Sequence, residues 1–336
     1  MRAYVVREHV VRDHGTTRSA KWEETADPSP PAEGVVVRVH AAALAWSDIL
    51  QMEGTYAGEV PDSPFVSGHE FAGEVVAAGE GTTYAPGDRV FGFLSSPAAF
   101  AEYVAAPARC VRRTPDELTD TDAAVFTTSF LTADVALVTL GGLTPQRSLL
   151  VHAGAGGVGR SALQLARSYG SELVLATAGS PARRAAAQAA GAVATAGYDD
   201  FPDLVRESTG GRGVDIVLES VGGEVFDRSA RVLAPMGRLV TIGASSGRPP
   251  QRLKLPLLWQ RSISVCGVHI GRLLAEAPEV LEPSWERLLD LLSAGRIESE
   301  AGLTVPPSGL ARGIEALRSR SVDGRVVIDF TRGVAV

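Results

Sequence analysis

Residues 151–166, VHAGAGGVGRSALQLA, decide how the rest of the chain is read. They hold the pattern Gly154-x-Gly156-x-x-Gly159. The residues leading in, SLLVHA (148–153), are short, apolar and strand-like. Those leading out, GVGRSALQLARSYG (157–170), have a helical period and stop at a glycine. Glycines in this setting allow a tight turn and let a pyrophosphate come close to the backbone. The helix that follows then offers free N–H groups and the positive end of its dipole to the anion. A glycine loop alone also serves as an ordinary turn. A strand before it and a helix after it point to a dinucleotide.

Downstream the alternation continues. ELVLATA (172–178) reads as a strand and SPARRAAAQAAGA (180–192) as a helix with Ser180 as cap and proline just inside. DIVLES (215–220), RLVTIGA (238–244) and SISVCGVHI (262–270) are further strands. Strands alternating with helices predict right-handed βαβ units and a doubly wound parallel sheet. Upstream the texture differs. GVVVRVHAAAL (34–44), FAGEVVAAG (71–79), DRVFGF (88–93) and FAEYVAAP (100–107) are β runs punctuated by Gly, Pro and Asp, as in YAPGDRV. They predict a compact antiparallel or barrel-like β domain. Thr119 or Asp120 is placed to cap a helix within 116–137 that leads into the second domain. After 270 come two helices, around PSWERLLDLLSAGRI and SGLARGIEALRSR, and a closing strand, GRVVIDF (324–330).

A chain of 336 residues is long enough for two domains. A net charge of −7, with both signs interspersed, argues against nucleic acid or an anionic membrane as main partner. Lysine occurs only at Lys21 and Lys254, and the two cysteines, Cys110 and Cys266, form no disulfide framework. No signal-peptide pattern and no apolar run of membrane-spanning length is seen. The expectation is a cytoplasmic, soluble protein.

Cofactor choice is read at the end of the second strand of the βαβ unit. A site for NADH usually carries an acid there to hold the ribose 2′-hydroxyl. Here the chain runs ATAGSPARR, without an acid and with Ser180, Arg183 and Arg184. A hydroxyl and guanidinium groups suit a 2′-phosphate, so NADPH is the expected cofactor.

Taken together, GHEFAGEVVAAG…YAPGDRV, HAGAGGVGRSALQLARSYG, TGGRGVDIVLESVGG and GRLVTIGASSG resemble the medium-chain dehydrogenase/reductase superfamily. Within it the chain most resembles the zinc-independent, zeta-crystallin-like quinone oxidoreductase and enoyl reductase branch. The resemblance implies an α/β chain with a GroES-like catalytic β domain built from both ends, 1–122 and 269–336, around a Rossmann NADPH-binding domain, 123–268. It also implies a substrate cleft at their junction and a homodimer formed through the last Rossmann strand. By motif match, Gly154, Gly156, Gly157, Val158 and Gly159 face the pyrophosphate. Ser180, Arg183 and Tyr198 face the 2′-phosphate, and Gly243, Ala244 and Ser245 border the nicotinamide. Asp48 and Tyr56, in AWSDILQMEGTY (45–56), match the family's cleft-lining Asp and Tyr.

SGHEFAGEV (67–75) raises the question of zinc, which needs at least three protein ligands. The first cysteine ligand of zinc alcohol dehydrogenases falls at Ala45, and VFTTSFLTADV (125–135) lacks the next. His69 and Glu70 alone are too few, so no metal is expected. Without a Lewis acid, acceptors that take hydride readily are favoured: quinones and α,β-unsaturated carbonyls. Tyr56 is the first candidate for proton donor or oxyanion partner, Asp48 an orienting group, and Trp46 and His69 pocket residues. An enoyl-thioester reductase, or an NADPH-binding structural or regulatory protein without turnover, are the alternatives. LKLPLLWQRS (253–262) is expected to pack in the core.

Overall fold

The computed structural model describes residues 1–7, 20–56, 58, 60–248 and 255–333, arranged in two compact units. The first unit comprises 1–128, 271–278 and 299–336; the second comprises 129–270 and 279–298. The helix Glu282–Ser293 thus packs with the second unit, although it lies in the 269–336 segment assigned by sequence to the first. The reason is local: Arg287 on this helix forms an ion pair with the fully buried Asp134 at 2.5 Å. Nearby, Gln164 and Ser168 bond the backbone at 298 and 296.

The second unit is built on a six-stranded sheet in the order 194–196, 174–177, 149–151, 214–219, 233–241, 264–267, with every neighbouring pair parallel. Numbered along the chain this is 3-2-1-4-5-6, the doubly wound Rossmann order. The strands are almost wholly apolar, as expected for strands covered on both faces. Leu150, Leu175, Val217 and Leu239 form one core with Phe201 and Val205 of the helix Phe201–Ser208. Because the strands are parallel, all their C-terminal ends lie on one edge. The glycine loop leaves Leu149–Val151 at the point where strand order reverses, where such sheets hold ligands.

In the first unit, Gly34–Leu44 is the axis of a seven-stranded sheet. It pairs with Glu70–Ala78, with Tyr103–Pro107 and with the C-terminal Arg325–Asp329. The last pairing explains why both chain ends belong to one unit. A smaller sheet joins Arg2–Val6 to Ala20–Glu24 and Phe65–Val66.

Two local expectations change. The stretch 116–137 is not one helix: it breaks into Asp120–Ala124, capped by Thr119, then Thr127–Asp134, then a π-helical turn Val135–Leu140. The helix Leu255–Arg261 buries none of its residues; Trp259 is 66% and Leu255 62% exposed. Leu257 and Leu258 pack, partly buried, against the core of the second unit. Residues 253 and 254 of that stretch lie outside the described residues.

Candidate active site

In the second unit the loop 153–159 turns tightly enough that Ala153 adopts φ 51°, a left-handed value for a residue with a side chain. A Cβ at Gly159 would stand 2.3 Å from the Ala153 carbonyl oxygen and 2.8 Å from Gly154 Cα. One at Gly154 would meet the Ala176 and Ala187 methyls at 2.9 and 3.1 Å. The first and third glycines are therefore required by packing alone. Gly156 is different: its only close neighbour is the Ala153 oxygen at 3.2 Å, which leaves its face of the loop open to a ligand. Gly156 is also the N-cap of the twelve-residue helix Gly157–Ser168. The N–H groups of Gly157, Val158 and Gly159 fall in its first turn, where helical partners are lacking.

Loops from the neighbouring strands reach the same edge. Ser180 caps Pro181–Ala189 by accepting from the Arg183 N–H at 3.3 Å. The Arg183 guanidinium donates to the Ala155 carbonyl at 3.3 Å, which ties this arginine to the glycine loop. Tyr198 follows the adjacent strand Ala194–Ala196, its ring 6.3 Å from that of His152. On the other side, Gly243–Ser245 follow the strand Leu233–Thr241, and Ser245 donates to Ser220 O at 2.9 Å. The cofactor residues expected from sequence are thus gathered along one edge of one sheet.

Two buried groups beneath this edge were missed by sequence reasoning. Glu219 is fully buried, and its Oε1 accepts from the N–H groups of Val221 and Gly222 at 2.7 and 2.8 Å; burial raises its pKa. His152 is buried against Phe201, with Nδ1 paired to Thr177 Oγ1 at 2.9 Å and Nε2 to Ser229 Oγ at 2.8 Å. Burial, with Arg228 as a smaller cause, lowers its pKa from 6.5 to about 3. The unfolded chain therefore takes up this proton first as pH falls. Its contribution to stability is intact above about pH 7 and is lost progressively as pH falls from about 6.5 toward about 3. Urea midpoints measured across that range should decline with pH, and His152→Asn should remove part of the slope. A variant with the full wild-type slope would show that other groups carry it.

In the first unit Asp48 and His69, expected from sequence as an orienting group and a pocket residue, meet. Asp48 sits in the first turn of the helix Trp46–Met52, 1% exposed. Its Oδ2 accepts the Ala45 N–H at 2.7 Å, closing the helix start, and its Oδ1 lies 2.7 Å from His69 Nδ1. The His69 ring stacks on Phe93 with centroids 6.2 Å apart. Tyr56 is half-buried, and burial together with the Asp48 charge raises its pKa. Trp46, the first residue of the same helix, is 38% exposed.

The family model described as an alcohol dehydrogenase GroES-like domain matches residues 31–116, and that of a zinc-binding dehydrogenase matches 157–293. The quinone oxidoreductase-like protein 2 homolog of Nematostella vectensis is 32% identical over 88% of this chain and 81% of its own length. The chain belongs to the medium-chain dehydrogenase/reductase superfamily. Its branch is that of the quinone oxidoreductases and enoyl reductases. The pikromycin polyketide synthase component PikAII of Streptomyces venezuelae is 39% identical over 77% of the chain, which spans only 7% of that much longer protein. Among solved structures, the CurK enoyl reductase superposes with a TM-score of 0.86 at 26% identity, covering 98% of this chain and 99% of that one. Mycobacterial Rv1454c, solved in complex with NADPH, gives 0.86 at 28%, with the same coverage.

Against this dehydrogenase background the donor set for zinc does not fit. Ala45 offers only a methyl group where a ligand is needed. Glu70 is 1% exposed and already engaged: Oε1 accepts the Thr128 N–H at 2.6 Å, and Oε2 pairs with the Arg325 guanidinium. Cys110 is a buried thiol pushed up to about 11 by desolvation. Among the described residues no three His, Cys, Asp or Glu side chains cluster as a metal site would require. Arg325, from the strand near the C-terminus, was not foreseen in sequence. The only signal was that a glutamate entering a buried strand at position 70 needs a cationic partner.

Proposed function

We propose that this NADPH-dependent oxidoreductase passes hydride to a quinone or an α,β-unsaturated carbonyl without a metal. The observation that carries the reading is the replacement of a zinc donor set by the Asp48–His69 pair with Tyr56 beside it. Bound NADPH supplies the hydride; the chain's own residues hold the cofactor and manage the proton. Gly154, Gly156, Gly157, Val158 and Gly159 receive the pyrophosphate, Ser180, Arg183 and Tyr198 the 2′-phosphate, and Gly243, Ala244 and Ser245 border the nicotinamide. Asp48 orients and Tyr56 donates a hydrogen bond to the oxygen on which charge develops. Trp46 and His69 line the pocket, where Trp46 favours a flat, aromatic acceptor. The second reading, an enoyl-thioester reductase, is favoured by the likeness to the CurK enoyl reductase and the polyketide synthase component.

NADPH oxidation by the chelator-treated protein, with an aromatic quinone and a short enoyl-CoA offered separately, tests both. Turnover of the quinone alone supports the first, preference for the thioester the second, and silence with both despite cofactor binding leaves a binding role. For cofactor choice, Ser180→Asp keeps a good helix cap but sets a carboxylate where the 2′-phosphate is placed. The ratio of NADPH to NADH efficiency should fall by roughly tenfold or more, since two like charges about 4 Å apart near a protein surface repel by about 1–4 kcal/mol. An unchanged ratio would remove Ser180 from the phosphate site.

Among the described residues no helix is long and apolar enough to cross a membrane, and the setting proposed is the cytoplasm. A homodimer is proposed through the edge strand Ser264–Gly267, which pairs with Leu233–Thr241 on one side, near the exposed Met236 and Trp259. Sedimentation at a single-chain mass would remove it.

A further inference from the structure

We infer that His69 is the proton donor of this reaction and that Asp48 is the residue that positions it, an assignment that rests on the hydride-transfer reading above. Asp48 is 1% exposed and both its oxygens are occupied, Oδ1 by His69 Nδ1 and Oδ2 by the Ala45 N–H, each at 2.7 Å. A carboxylate held in this way accepts hydrogen bonds and donates none. Against a carboxylate that only accepts, Nδ1 is the donor of this bond, and Nε2 is the ring nitrogen turned away from it. Nε2 makes no hydrogen bond to any described residue, and 12% of the side chain remains open. Stacking on Phe93, itself 6% exposed, fixes the plane of the ring. An imidazole with one nitrogen clamped by a buried carboxylate and the other left open has the form of a general acid rather than of a packing residue.

Tyr56 stands in the field of the same carboxylate, but burial and that charge both make its hydroxyl hold its proton more tightly. It is thus suited to donating a hydrogen bond and poorly suited to giving the proton up. Glu70 is excluded from the role, since its carboxylate is taken by Arg325 and Thr128.

The step balances as follows. Hydride adds to the β carbon of the conjugated carbonyl, and the π electrons move to oxygen as an enolate held by Tyr56. The Nε2–H bond of the His69 imidazolium breaks, and its proton goes to the α carbon, or to the oxygen anion when the acceptor is a quinone. Neutral imidazole remains with Nδ1–H on Asp48, and a proton taken up from the solvent, the one the overall reduction consumes, restores Nε2–H.

The decisive variant is His69→Gln, whose amide N–H can still donate to Asp48 but cannot transfer a proton. Wild type and variant are compared with 1,4-naphthoquinone and crotonyl-CoA, alongside NADPH affinity from fluorescence titration and the unfolding midpoint. For whichever acceptor wild type turns over faster, kcat should fall about a hundredfold or more, the usual contribution of a general acid, with NADPH affinity unchanged. His69→Ala should be similarly slow and partly restored by added imidazole, a response that a structural role does not produce. Asp48→Asn, which loosens the clamp and leaves the donor, should cost less than His69→Gln. Retention of kcat within about threefold in His69→Gln overturns the assignment while the hydride-transfer reading stands. A slow His69→Ala without imidazole rescue, together with an intact His69→Gln, assigns the histidine to packing and also overturns it. Wild type that oxidises NADPH with neither acceptor overturns the hydride-transfer reading, and the assignment with it.

Discussion

Gly159→Ala is expected to lower NADPH affinity by about a hundredfold or more and to destabilise the second unit by about 3 kcal/mol, at the upper end of overpacking costs. The added methyl group would lie 2.3 Å from the Ala153 carbonyl oxygen and 2.8 Å from Gly154 Cα, both backbone atoms without a rotamer to escape into. Ala153 is already left-handed at φ 51°, so the loop has little freedom to give way. The strand-to-helix turn must open, and the first-turn N–H groups lose their common aim at a pyrophosphate. Gly156→Ala makes the contrast, because its new methyl meets only the Ala153 oxygen, at 3.2 Å. It should leave the unfolding midpoint near wild type while still weakening NADPH, since the methyl group enters the face where the ligand approaches. Fluorescence titration with NADPH and urea unfolding separate the two effects. Wild-type affinity in Gly159→Ala would mean that this loop does not hold the cofactor.

Glu70→Ala is expected to destabilise the first unit by about 3–5 kcal/mol, the cost of leaving one member of a buried ion pair alone. Glu70 is 1% exposed and the Arg325 side chain 12%, so the guanidinium keeps its bond to the Thr128 hydroxyl at 3.3 Å but loses its counter-charge and cannot easily reach water. The Thr128 N–H, which donates to Oε1 at 2.6 Å, loses its acceptor as well. This pair joins the strand Glu70–Ala78 to the closing strand Arg325–Asp329 across Gly34–Leu44, so its loss loosens the return of the C-terminus to the β sheet. Glu70→Gln keeps an acceptor for Thr128 and loses only the charge, and should fall between the two. Thermal unfolding reads both, with a midpoint drop of roughly 10 °C for the alanine variant. A change under about 1 kcal/mol would mean that water reaches the pair and that its burial is not maintained in solution.

How much of this was written in local sequence follows from the range of the forces involved. The glycine loop was legible because its constraint is local: a tight turn followed by a helix needs glycines within six residues, and the flanking patterns identify strand and helix. That the sheet is parallel followed from alternating elements and the handedness of their crossovers. The Ser180 cap was legible for the same reason, since cap and proline are neighbours. The break of 116–137 into three short helical pieces was not, because helix propensity along that stretch is unbroken and the termination depends on what the stretch packs against. The exposure of Trp259 was hidden for a similar reason. An apolar side chain reads as core in sequence, and only the tertiary arrangement decides which face of its helix is covered.

The site divides along the same line. Sequence by itself determined that the chain binds a dinucleotide on a doubly wound sheet, that no acid stands ready for a ribose 2′-hydroxyl, and that Ala45 cannot ligate a metal. Each of these depends on residue identity within a single turn or motif. Tertiary structure decided what the remaining polar residues do. Asp48 and His69 are 21 positions apart, and Glu70 and Arg325 are 255 apart. One neighbouring pair of residues, His69 and Glu70, is thereby sent to different partners: the histidine to Asp48, the glutamate to a buried pairing with Arg325. A burial cost of several kcal/mol for an unpaired charge then requires each to find its own partner, and where that partner stands is known only once the strands have paired.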